Sequence, residues 1–291
     1  MSASSPRKTE SSTVPSLELK LAHSPDSDDA FMFYGLATKK VHTGKLKFTH
    51  VLEDIESLNQ KAREEAYDIT AMSFHAYAYL ADRYVLLPCG ASFGDRYGPI
   101  VVAKRSLGKD GLRKKRVAVP GRWTTAHLAL RLYEPDFEAV FTPFDRVLER
   151  VAAGETDAGV VIHEGQLTFA REGLRKIVDL GEWWHEQTHL PLPLGGNGIR
   201  KSLDLALVRK VSKLMQESIR YSLDHREEAL EYALQFARGL DAPTADQFVS
   251  MYVNNWTLDY GARGRLAVQA LLDRGHEKGI LPNSIKAEFV E

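Results

Sequence analysis

The chain has 291 residues, 44% of them hydrophobic and 26% charged, which is globular composition and enough length for two lobes of ordinary domain size. A formal net charge of -1 leaves no basic excess to neutralise phosphates, which argues against a nucleic-acid partner. No apolar run approaches the ~20 residues needed to cross a bilayer, and the one cysteine, Cys89, cannot form an internal disulfide, which fits a reducing, cytoplasmic compartment.

Residues 1–16, "MSASSPRKTESSTVPS", are polar, rich in Ser and Thr, and without an apolar core, so they read as a disordered tail and not as a secretory signal. Strand-like and helical patterns then alternate. "LELKLA" (17–22) has period two, and "DDAFMFYGLATKK" reads as a helix. "KLKFTHVL" (45–52) is a strand, "ESLNQKAREEA" (56–66) a helix, "DITAMS" (68–73) a strand, "FHAYAYLADR" a helix, and "YGPIVVAK" (97–104) a strand. The pattern restarts at "RVAVP" (116–120), followed by helical "TTAHLALRLY", a strand at "EAVFTP", and helical "DRVLERVAAGE". Strands at "DAGVVIHE" (157–164) and "GLRKIVDLG" (173–181) complete this second unit. From about residue 202 the chain is helical almost to its end, over roughly 202–239, 243–255 and 262–278.

Strand–helix alternation predicts mostly parallel sheets with helices on both faces. The expected assembly is α/β, with two lobes joined by crossings near residues 104 and 199. One lobe comprises 17–104 plus 199–291, and the smaller comprises 105–198. Two such lobes form a hinged cleft, and ligands of such sheets sit at the carboxyl ends of the strands.

Four strand-to-helix junctions converge on that expected cleft. "HSPDSDDAFMFYG" (23–35) clusters Asp26, Asp28 and Asp29 at a helix start, where capping and the helix dipole favour carboxylates; the regular calcium-loop spacing is absent. "TAMSFHAYAYL" (70–80) places Ser73 where it caps a helix or offers a hydroxyl to a ligand. "PGRWTTAHLAL" (120–130) opens a helix at Thr124 or Thr125, whose hydroxyls cap free N–H groups that also suit an anion. "AGVVIHEGQ" (158–166) puts His163 at the carboxyl end of an apolar strand, where an imidazole either takes a proton near neutral pH or bonds to backbone. "GGNG" (195–198) offers backbone freedom for a hinge or a turn at the second crossing.

"HEQTH" (185–189) fits the zinc-protease pattern, with His185 and His189 one helical turn apart. Pro191 and Pro193 follow at once, so the helix holds only about two turns. His225 and His276 lie in no recognisable third-ligand motif. An amphipathic turn with Trp183 or Trp184 packed inward is the preferred reading, and no metal is expected. Walker, dinucleotide and nucleophile-elbow motifs are absent, so no nucleotide cofactor is expected either.

Together, S-P-x-x-x-D followed by "FMFYGL", then "LEDIESLNQKA", S-x-x-"AYA", "DRYVLL", "YGPIVVA", "VAVPGRWTTA", "VVIHE", "VDLGEWW" and "LPLPLGG", resemble the 1,4-dihydroxy-6-naphthoate synthases of the futalosine route to menaquinone. The similarity runs from residue 17 over nearly the whole chain. It implies a two-lobe fold like that of periplasmic binding proteins, used as a cytoplasmic, cofactor-free lyase acting on cyclic dehypoxanthine futalosine, a small carboxylated substrate. It also implies His163 as the base, with Thr124, Thr125, Ala126, Ser73, Ala71, Met72 and Asp29 around the substrate. Three positions depart from the family. Asp28 stands where an amide is usual, no lysine precedes Ser73 in the "TAMS" segment containing Met72, and Trp123 stands where a histidine often precedes the threonines. A carboxylate-binding protein of the same fold and a chorismate dehydratase are the competing expectations.

Overall fold

A computed structural model describes residues 16–108, 111–237 and 241–291. The tail expected over 1–16 therefore lies outside the described residues, Ser16 excepted, as does the end of the helix expected to reach 239.

Eleven strands among the described residues form two sheets. The first contains β1 (Leu17–His23), β2 (Leu46–Leu52), β3 (Ile69–Ser73), β4 (Tyr84–Leu86), β5 (Ser92–Gly94) and β11 (Leu192–Arg200). The second contains β6 (Ile100–Ala103), β7 (Arg116–Val119), β8 (Glu138–Phe141), β9 (Ala158–Val161) and β10 (Arg175–Asp179). The helices are α1 (Ser27–Ala37), α2 (Ile55–Ala62), α3 (Phe74–Tyr77), α4 (Thr125–Tyr133), α5 (Val147–Ala153), α6 (Gly165–Thr168) and α7 (Leu180–Thr188). They continue with α8 (Leu205–Asp224), α9 (Arg226–Leu234), α10 (Ala242–Tyr252), α11 (Asn255–Leu258) and α12 (Gly261–Glu277).

The strands read from periodicity fall where alternation or continuous apolar runs place them. β1 alternates toward its buried end, while β3, β6 and β9 are buried along their whole length, as central strands covered on both faces must be. α1 is buried from Ala30 to Leu36 because it lies between β2 on one side and α8, α9 and α10 on the other. α8 is a 20-residue amphipathic helix with its apolar stripe on that core.

Both sheets are mixed, not mostly parallel. β2, β1 and β3 are parallel, but β11 runs antiparallel to β3, β4 and β5. In the second sheet β8, β7 and β9 are parallel, and β6 is antiparallel to both β9 and β10. Strand β6 pairs in the second sheet and β11 in the first. The chain thus passes between sheets before Ile100 and again before Leu192, earlier than residues 104 and 199. An apolar run such as "IVVA" reads alike in either sheet; only its partners assign it.

The segment "GGNG" is not a turn. It is the middle of β11, paired to β3 from Gly195 to Ile199. Its glycines allow close packing: a Cβ on Gly196 would overlap the Tyr260 hydroxyl, and one on Gly198 would press on the Met72 thioether. One hydrophobic core joins the two sheets, running from Phe74 and Phe93 through Trp184, Tyr260 and Leu271 to Val117 and Leu128. α12 seals it by packing on β11, α3 and α4.

Candidate functional site

A cavity of about 120 Å³ lies between the sheets, where the starts of α1, α3 and α4 converge. Ala71, Met72 and Ser73 line it from the end of β3, Thr124, Thr125 and Ala126 from the start of α4, and Asp29 from the first turn of α1. All seven residues expected around a substrate therefore meet in one space.

Each is held by local chemistry. Thr124 is the N-cap of α4, its hydroxyl accepting the His127 N–H at 3.2 Å. The first amides of a helix have no partner within it, so Thr125 and Ala126 bring N–H groups to the cavity wall. Thr125 donates its hydroxyl proton to the Leu194 carbonyl at 2.5 Å and accepts the His75 N–H at 3.3 Å. Ser73 is positioned by Asn59, whose amide oxygen takes the Ser73 N–H at 2.9 Å and whose NH₂ donates to the Ser73 hydroxyl at 3.1 Å. That leaves the hydroxyl proton of Ser73 to be donated elsewhere.

The acids at the start of α1 are organised by Ser24. Its N–H donates to Asp29 at 2.7 Å and its hydroxyl to Asp26 at 2.6 Å. Burial pushes the Asp29 carboxyl up to about 7, against the pull of the Ser24 N–H and with the charge of Asp26 adding to the rise. Burial also raises Asp28 well above its ordinary value, helped by the charges of Asp29, Asp26 and Glu164.

His163 does not line this cavity, although its neighbour Ile162 does. The imidazole Nε2–H donates to the Phe144 carbonyl at 3.0 Å, and Nδ1 accepts the Gly165 N–H at 2.9 Å. That is the neutral tautomer with its lone pair engaged on backbone. The backbone bond weighed for this residue is thus present.

Polar contacts bridge elements of one sheet to those of the other. The Ser27 hydroxyl donates to Glu164 at 3.1 Å, and the Tyr252 hydroxyl to Gln166 at 2.9 Å. The Trp123 N–H donates to Glu56 at 2.9 Å. His75 donates from Nδ1 to the Thr124 carbonyl at 3.1 Å, and burial lowers its pKa to about 4, so it stays neutral. Sequence reasoning did not find His75, Tyr252 or Phe248; the last two line the cavity from α10, a helix with no motif to mark it.

The "HEQTH" helix is nine residues long and ends at Thr188, with His189 beyond it in left-handed conformation at φ 56°. Trp184 is fully buried, and its indole N–H donates to the Pro191 carbonyl at 3.1 Å. Among the described residues no group of three or more His, Cys, Asp or Glu is arranged to hold a metal ion. Cys89 is buried, and no described helix is long and apolar enough to cross a membrane.

A family model described as "Menaquinone biosynthesis" matches residues 19–277. The chain belongs to that menaquinone-biosynthesis family. Within it, this chain is 42% identical over 272 residues to a 1,4-dihydroxy-6-naphthoate synthase of Thermus thermophilus, covering 94% of this chain and 99% of the relative. It is 34% identical over 270 residues to the Streptomyces coelicolor protein of the same name, covering 91% and 95%. A crystal structure of an Archaeoglobus fulgidus protein matches with a TM-score of 0.87 and 48% identity, over 90% of this chain and 98% of that one. An alkanesulfonate-binding protein of Xanthomonas axonopodis, solved with MOPS bound, matches with a TM-score of 0.71 at 15% identity, over 94% and 98%. This menaquinone-biosynthesis protein therefore has a periplasmic-binding-protein-like fold, and it is an enzyme, as its relatives are.

Proposed function

We propose that this enzyme is a cytoplasmic lyase that converts cyclic dehypoxanthine futalosine to 1,4-dihydroxy-6-naphthoate, with His163 as general base. The observation that carries the reading is the convergence of Ala71, Met72, Ser73, Thr124, Thr125, Ala126 and Asp29 on one cavity between two sheets. The names of the two synthase relatives support it.

In this reading the substrate carboxylate accepts hydrogen bonds from the Ser73 hydroxyl and from the amides at the start of α4, where the helix dipole favours an anion. Substrate entry frees the His163 ring from the Phe144 carbonyl and the Gly165 amide, and Nδ1 then removes a proton from the substrate. Loss of that proton drives carbon–carbon or carbon–oxygen cleavage that releases a small sugar-derived fragment as the remaining ring becomes aromatic; the substrate is its own electron sink, and no cofactor enters. The contacts of Glu56, Glu164 and Gln166 across the cleft keep water from the intermediate.

The test is to incubate the purified protein with cyclic dehypoxanthine futalosine and to assay for 1,4-dihydroxy-6-naphthoate. Product formation is expected. Tight binding of the substrate without turnover would instead leave a solute-binding role, and turnover of chorismate would move the activity to dehydration.

A further inference from the structure

The ionisable side chains that line the cavity are of one sign. Asp26, Asp28, Asp29 and Tyr252 face it, and among the described residues no Lys, Arg or His is part of its wall. Glu164 stands behind them, holding the Ser27 hydroxyl. A carboxylate ligand, the class required by the proposed function on which this inference rests, must enter beside three aspartates. Ionised carboxyls at contact distance in a dry site repel one another by several kcal/mol, so such groups do not all stay charged.

The hydrogen bonds distinguish the three. Asp29 accepts the Ser24 N–H and Asp26 accepts the Ser24 hydroxyl. The Ser24 N–H favours the ionised form of Asp29, and the Ser24 hydroxyl proton is committed to Asp26. Asp28 is offered the Asp29 backbone N–H, and no described side chain donates to it. From α10, Tyr252 brings no donor either, because its hydroxyl proton goes to Gln166. The acids facing Asp28 from its own helix and from the end of β9 are Asp26, Asp29 and Glu164, and all of them disfavour a further negative charge.

We infer that Asp28 meets the ligand as a neutral carboxylic acid, donating its O–H to an anionic oxygen of the bound aromatic carboxylate. One proton thereby turns a repulsive wall into a donor. In a cavity without cationic side chains, this residue decides that an acid is accepted.

The experiment measures the affinity of the full chain for 2-naphthoate near neutral pH by calorimetry. Asp28→Ala removes the donor and is expected to weaken binding about tenfold or more. Asp28→Asn restores a donor of the same shape and is expected to recover affinity to within about threefold of the unsubstituted protein. An ionised Asp28 predicts the reverse: both substitutions remove a repulsive charge, and both tighten binding. Tightening by either variant overturns the inference, as does an alanine variant that binds like the parent. Should the variants not fold, the infrared carbonyl band of a buried protonated carboxyl in the unsubstituted protein decides, and its absence overturns the assignment. Donor-dependent naphthoate binding without turnover of cyclic dehypoxanthine futalosine would remove the proposed reaction while supporting the role of Asp28.

Discussion

At the scale of single residues, His163 and Gly196 carry opposite kinds of constraint. His163 spends both ring nitrogens on backbone groups, so the role of base proposed for it depends on leaving them. His163→Ala is expected to lower turnover about 10²- to 10⁴-fold, the usual worth of a general base, with substrate affinity little changed. A kcat equal to the parent's in a product assay would remove the residue from the mechanism. Gly196 has no chemistry, yet a Cβ there would overlap the Tyr260 hydroxyl and crowd the Phe74 ring at 3.1 Å. Gly196→Ala is expected to cost about 1–3 kcal/mol, as overpacking does, read as a lower denaturation midpoint at unchanged slope. The glycine itself was plain in the sequence, but its reason was not, because Tyr260 is 64 residues away and no local pattern joins them.

At the scale of elements, the strand-to-helix junctions were the legible part. Hydroxyl residues between an apolar strand and a helical period mark a cap, and Thr124 is one. Thr124→Ala is expected to destabilise the protein by about 1 kcal/mol through the lost cap. It should also raise KM, because the same turn presents the amides of Thr125 and Ala126 to the cavity. Thermal melts and steady-state kinetics check the two effects separately, and Thr124→Ser should recover both. The strand β11 was illegible for the opposite reason. "LPLGGNGIR" has two prolines' worth of interruption nearby and three glycines, so neither alternation nor β-branching announces it. It is a strand because β3, β4 and β5 supply its hydrogen-bond partners and because bulky neighbours need its missing side chains.

At the scale of the molecule, the contacts between the lobes include buried groups whose charge state matters. His75, from α3 beside the first sheet, bonds the Thr124 carbonyl at the start of α4, and burial keeps it neutral down to about pH 4. His23 is held lower still, to about 3, by burial and by the nearby His50. The unfolded chain takes up these protons near pH 6.5, whereas the folded chain does not. The stabilisation is therefore complete above about pH 6.5 and is lost as pH falls toward the folded values, by up to ~1.4 kcal/mol per pH unit for each group. Asp29, raised to about 7, works in the other direction over much of the same range. A variant isolates one contribution: the stability gap between the parent and His75→Gln should narrow as pH is lowered from about 6.5 to about 4.5. Urea titrations at several pH values measure that gap, and a gap independent of pH would mean that His75 titrates alike in the folded and unfolded chains.

The sequence by itself determined the alternating α/β order, the strand-to-helix junctions that carry Ser73 and Thr124, of which only Thr124 caps its helix with its side chain, and the family to which the chain belongs. All of these are local signals, or ordered strings of them. Tertiary structure alone decided which sheet takes β6 and β11, that α10 brings Phe248 and Tyr252 to the cavity, and that His163 rests on Phe144 and Gly165. It also decided that Asp28 stands, half-buried, among other acids. These depend on contacts between residues far apart in the chain, where apolar strands are interchangeable and the charge state of a side chain follows from its neighbours.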